Sequence, residues 1–111
     1  MNIQVFGRKS CQETRKAERY FKERGIPFQS IDLKEKGFSP KELESLARPI
    51  GYENLLDRDS RLFKEKGLAF MSPSRVPKVL LEEPMLVKTP VVRNGPQATL
   101  GYKPDVWKTW A

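Results

Sequence analysis

Among 111 residues there is one cysteine, and it stands in the run Phe6-Gly7-Arg8-Lys9-Ser10-Cys11-Gln12-Glu13-Thr14-Arg15. A cysteine does chemistry as its thiolate, and the settings that favour thiolate are helix N-termini and nearby cations. Both are written here. Arg8, Lys9 and Arg15 flank the thiol with positive charge, and Ser10 followed three residues later by Glu13 is a capping-box pattern. That pattern makes Ser10 the N-cap and Cys11 the first helical residue, facing unpaired backbone N–H groups and the positive end of the helix dipole. Cys11 is therefore the candidate nucleophile. Arg15 and Arg8 are its companions for orienting an anion, while Lys9 and Thr14 are weaker candidates that read most simply as exposed polar residues. A thiolate that attacks an electrophilic centre leaves an adduct on sulfur. With no second cysteine, the thiol that resolves the adduct must come from another molecule.

The remaining composition narrows the chemistry. There is no histidine, so histidine-assisted thiol or serine hydrolysis is excluded within this chain and a metal site is not expected. One cysteine also excludes an internal disulfide, which agrees with a reducing compartment. No basic leader precedes a long apolar run and no window matches a membrane span, so the expectation is a cytoplasmic protein without membrane contact. The net charge of +7 raises the question of a nucleic-acid partner. It is split: residues 1–37 carry nine basic and five acidic side chains, residues 38–70 six and six, and residues 71–111 six and three. In the first helix Glu13, Glu18 and Glu23 alternate with Arg15, Lys16, Arg19, Lys22 and Arg24, the pattern of an ion-paired solvated face. Nucleic acid is not the expected partner.

The elements that must position Cys11 can be read in order. Ile3, Val5 and Phe6 form a brief strand, and Ala17, Tyr20 and Phe21 recur at helical spacing until Gly25 and Pro27. Pro27 to Leu33 alternates apolar and polar residues as a second strand, which completes a βαβ unit with a parallel pair and a right-handed crossover. Ser39-Pro40-Lys41-Glu42 starts a helix with Ser39 as N-cap and proline at N1. Its buried side is Leu43, Leu46 and Ala47, and Arg48-Pro49 with Gly51 ends it. Asn54 to Asp57 reads as a turn into a short helix whose Leu62 and Phe63 face inward. Pro77 must lie in the first turn of the next helix, whose apolar patch is Val79, Leu80 and Leu81. Beyond Pro90, Val91 to Arg93 and Ala98 to Leu100 flank the turn signal Asn94-Gly95 as a hairpin. A closing helix begins at Lys103-Pro104-Asp105, with Val106, Trp107 and Trp110 covering the sheet.

Two parallel strands around a helix, helices over about residues 39–84, a hairpin and a closing helix make an α/β thioredoxin-like fold with a mixed four-stranded sheet. The expected organisation is one domain, residues 1–111. In such a fold the loop after the first strand holds the reactive thiol, and a proline before the third strand approaches it; Cys11 and Pro90 take those places.

The chain resembles the arsenate reductase family of thioredoxin-like proteins, which also includes Spx-type transcriptional regulators and glutaredoxin-like relatives. The resemblance rests on Cys11-Gln12-Glu13-Thr14-Arg15-Lys16-Ala17, on the turn Gly25-Ile26-Pro27-Phe28, on Ser39-Pro40-Lys41-Glu42-Leu43, and on Leu80 through Val92. It implies a monothiol oxidoreductase with Cys11 as nucleophile and Arg15 beside it. Glutathione, another small thiol or a glutaredoxin-like protein would serve as reductant, with no bound cofactor. Arg8, Lys9, Thr14, Thr89 and Pro90 would line the substrate site. Family arsenate reductases clamp the oxyanion with three arginines. Here the position before Pro90 is Thr89, the middle one aligns with Asp59 near Arg58 and Arg61, and the last falls to Lys103. Threonine lacks paired donors and lysine is only a point charge, so arsenate is not expected to be turned over efficiently. Some Spx-type regulators use a Cys-x-x-Cys switch, whose second position here is Thr14. The resemblance thus leaves a second expectation, a regulatory protein that binds a protein partner without turnover.

Overall fold

The computed structural model describes residues 2–110. The chain runs β1 (Ile3–Gly7), α1 (Gln12–Glu23), β2 (Phe28–Asp32), α2 (Pro40–Ile50), α3 (Tyr52–Leu55), α4 (Arg61–Glu65), α5 (Val76–Glu82), β3 (Val91–Asn94), β4 (Gln97–Leu100) and α6 (Pro104–Trp107). The four strands form one mixed sheet in the order β2-β1-β3-β4. β1 lies parallel to β2, whereas β1–β3 and β3–β4 are antiparallel. This is the thioredoxin-like arrangement read from the sequence.

Strand alternation divides the core between the two faces. Ile3, Val5 and Val92 point to the face covered by Ala17, Tyr20 and Phe21 of α1 and Trp107 of α6. Phe6, Ile31 and Val91 point to the other, where Leu43, Leu46, Leu55, Val79 and Leu80 of the intervening helices cover them. The register agrees, pairing Val5 with Val92 and Phe6 with Val91.

Local chemistry sets the helix limits. α1 closes in a Schellman motif: Gly25 N–H reaches the Lys22 carbonyl at 3.1 Å, Ile26 N–H reaches Phe21 at 2.9 Å, and Gly25 takes φ +65°. Ser39 caps α2 in a full capping box with Glu42. That helix includes Pro49, runs to Ile50 and ends with Gly51 as its C-cap, in line with the stop read at Arg48-Pro49 and Gly51. Asn54 and Leu55 lie in α3 rather than in a turn. In α6, Trp107 is buried and Trp110 packs beside it, but Val106 is 40% exposed; a helix this short turns only one side inward.

The intervening helices also fix the chain that leads into β3. Leu56 bridges Val87, Asp57 N–H reaches the Leu86 carbonyl at 2.8 Å, and Lys88 N–H reaches Leu55 at 2.7 Å. From the other side Gly101 N–H donates to the Pro90 carbonyl at 2.8 Å. Thr89 and Pro90, joined by a cis peptide bond, are thereby held against the end of β1. Among the described residues no helix is long and apolar enough to cross a membrane.

Candidate functional site

β1 ends at Gly7, and a turn closed by Cys11 N–H on the Arg8 carbonyl at 3.0 Å delivers the cysteine to the start of α1. The N-cap is Cys11 itself, with extended backbone angles of −87° and 116°, not Ser10. Ser10 is used up in the turn, and Glu13 approaches Lys16 at 4.0 Å, so the expected capping box does not form here. The shift by one residue suits the thiol. An N-cap side chain faces the N–H groups of the second and third helical residues, here Glu13 and Thr14.

The half-buried thiol donates to the Thr89 carbonyl oxygen at 3.7 Å. Burial pushes its pKa up, but the hydroxyls of Thr14 and Thr89 and the amides of Thr14 and Glu13 outweigh burial and hold it below the ordinary cysteine value. The cations expected to do this are not the cause. Lys9 and Arg15 are exposed, and Arg8 directs Nη2 to Thr89 Oγ1 at 3.3 Å. Arg8 Nε is buried without a partner.

Thr14 departs most from expectation. It is buried at 4% exposure, the one buried polar residue among those described. Its Oγ1 accepts the Arg8 backbone N–H at 3.4 Å, and its side chain fills the space that a Cβ on Gly7 would occupy. Its spacing from Ala17 and Phe21 marks the inward face of α1, a signal present in the sequence.

The named site residues fall into two groups. Cys11, Thr14, Thr89 and Arg8 meet at the thiol, where Pro90 follows Thr89. A separate cleft of about 180 Å³ on the β2 side gathers Arg8, Lys9, Thr14 and Arg15 opposite Glu18 and Asp32, without Cys11, Thr89 or Pro90 in its walls. The remaining positions of the oxyanion clamp are engaged elsewhere: Arg58 pairs with Glu53 and Arg61 with Glu65, and Lys103 lines a groove with Lys88 and Ile50. Among the described residues no three His, Cys, Asp or Glu side chains converge as a metal would require.

A strand-loop-helix junction carrying one thiol of lowered pKa, faced by a threonine-proline pair ahead of an antiparallel strand, stands on a thioredoxin-like fold. The chain belongs to the ArsC family, whose model matches residues 6–110. It is similar to the global transcriptional regulator Spx 2 of Oceanobacillus iheyensis, at 27% identity over 95% of this chain and 80% of that protein. It is also similar to the arsenate reductase of Haemophilus influenzae, at 25% identity over 95% of each. Among solved structures, an arsenate reductase from Vibrio cholerae shares the fold with a TM-score of 0.82 at 24% identity, covering 96% of this chain and 94% of that one.

Proposed function

We propose that this protein is a monothiol exchange protein in which Cys11 is the nucleophile. The observation that carries this reading is the placement of Cys11 at the N-cap of α1, with two threonine hydroxyls and two helix amides lowering its pKa. The thiolate attacks one sulfur of a small disulfide such as oxidised glutathione. A new bond forms to Cys11 Sγ as the old S–S bond breaks, and the electron pair leaves with the departing thiolate, which takes a proton from water. A thiol different from the one in the adduct, whether glutathione on another disulfide's adduct, another small thiol or a glutaredoxin-like protein, then attacks the sulfur bonded to Cys11; the bond to Cys11 Sγ breaks, Cys11 leaves as thiolate, and the attacking thiol departs as the new mixed disulfide. Arg8 and Arg15 would orient the carboxylates of the small thiol. Arsenate would be a poor substrate, because Thr89 replaces the guanidinium next to Pro90 and both Arg58 and Arg61 are paired with glutamates.

Intact-mass measurement after exposure to oxidised glutathione tests this. One adduct is expected on the wild type and none on Cys11→Ala; an unmodified wild type would overturn the reading. The same measurement with arsenate, glutathione and glutaredoxin tests the substrate, and efficient arsenite production would refute the exclusion of arsenate.

A second reading is a partner-binding regulator without turnover, favoured by similarity to Spx 2 along 95% of this chain. Cellular function retained in Cys11→Ala would establish that reading over the first.

A further inference from the structure

The outward face of α1 carries Arg15, Lys16, Arg19 and Lys22, and Arg24 follows as its C-cap, all exposed. The sequence reads as an ion-paired face, yet among the described residues the only ion pair on this helix is Lys16 to Glu13 at 4.0 Å. Arg24 lies over the Tyr20 ring at 3.8 Å, and Glu18 accepts from Ser30 on β2 rather than from its helix neighbours. Arg19 and Glu23 stand at i,i+4, as do Glu18 and Lys22, so helix geometry allows pairs that are not made. Elsewhere such pairs do form at comparable exposure, as in Arg48 with Glu44 and Arg61 with Glu65, each at 3.0 Å.

These cations, of which Lys16 alone has an ion pair among the described residues, have a place and a neighbour. Arg15, Lys16 and Arg19 line one shallow groove with Gln12, directly after Cys11. A second groove of about 450 Å³ continues through Arg19 and Arg24 to Tyr102, which is 40% exposed. α1 runs twelve residues, about 18 Å, and its first cation, Arg15, stands one turn beyond the thiol. Arginine with an exposed tyrosine is a composition of protein interfaces. Glu13 and Glu23 interrupt the ridge near either end, which disfavours a continuous phosphate backbone.

We propose that this face of α1 docks an acidic surface of the protein whose cysteine exchanges with Cys11, so that charge complementarity brings the two sulfurs together. The proposal rests on the thiol-exchange reading for the identity of that partner, but the docking can be tested without the thiol. A fluorescent glutamate-rich peptide is titrated against the wild type, Cys11→Ser, Lys16→Glu/Arg19→Glu and a control, Lys34→Glu/Lys36→Glu, that carries the same charge change in the turn after β2. Binding at low salt is expected for the wild type, Cys11→Ser and the control within about twofold. The α1 variant is expected to lose about tenfold or more, and added salt to weaken all. No binding at low salt, or equal losses in the two double variants, would overturn the proposal. Tighter binding of a single-stranded oligonucleotide than of the peptide would also overturn it, in favour of nucleic acid. Failure of Cys11 to take a glutathione adduct would refute the exchange chemistry while leaving the peptide result to stand or fall by itself.

Discussion

Thr14 Oγ1 accepts the backbone N–H of Arg8 at 3.4 Å while the same side chain fills the space above Gly7, so the residue three positions after the thiol is locked beneath it. From there its hydroxyl lowers the pKa of Cys11, and Thr89 does the same from the loop before β3. Replacing either by valine keeps the shape and removes the hydroxyl. Hydrogen bonds to charged groups are worth about 1.5–3 kcal/mol, with water replacing part of the loss at a half-exposed site, so alkylation of Cys11 by iodoacetamide at neutral pH should slow about three- to tenfold in Thr14→Val and Thr89→Val. Pseudo-first-order rates across pH check this. An unchanged profile in both variants would show that the hydroxyls do not act on the sulfur.

Stability should carry the same signature. The folded state lowers the pKa of Cys11, so as pH rises the folded chain loses this proton before the unfolded chain does. The resulting stabilisation is fully present above the unfolded value, about 8.5, and is lost as pH falls through the folded value. Wild type should therefore gain on Cys11→Ser as pH climbs from the folded value towards about 8.5, and the difference should be flat below that window. Urea midpoints of the two proteins at a series of pH values measure it. A gap that narrows with rising pH would contradict the lowered pKa.

Gly7 closes β1 where Thr14 crosses it, and a Cβ there would collide with Thr14 Cγ2 and Oγ1. Gly7→Ala must therefore push on a buried side chain and on the turn that carries Cys11. A loss of about 1–3 kcal/mol is expected from such overpacking. The double variant Gly7→Ala/Thr14→Ser, which removes the obstructing methyl, should recover part of it. Chemical denaturation of the single and double variants decides the matter.

What could be read beforehand depended on how local each signal is. The strand-helix-strand order, the cap at Ser39 and the hairpin around Gly95 follow from periodicity and turn chemistry within a few residues. Cys11 was legible as the candidate nucleophile for the same reason. The capping frame slipped by one residue because a turn closed on Arg8 consumes Ser10, and two competing uses of a serine look alike in sequence. The contribution of Thr89 to the thiol depends on a contact spanning 78 residues, which no local pattern encodes. The inward position of Thr14 was encoded, three residues before Ala17 and seven before Phe21, but its polar type pointed to solvent.

On the opposite face of α1 from its cationic ridge, Trp107 joins the closing helix to the sheet. Its ring centroid lies 5.2 Å from Tyr20 and 5.1 Å from Phe21, and its indole N–H donates to Thr99 Oγ1 at 2.8 Å. The two contributions separate by substitution. Trp107→Ala removes ring and hydrogen bond together and should cost about 3–5 kcal/mol. Thr99→Val leaves the ring in place with its N–H unsatisfied and should cost about 1–3 kcal/mol. Because Trp107 lies across the sheet from α2 to α5, neither change should alter the alkylation rate of Cys11 while the protein remains folded. Denaturation midpoints give the energies, and a slowed thiol in folded Thr99→Val would show that α6 reaches the site through α1.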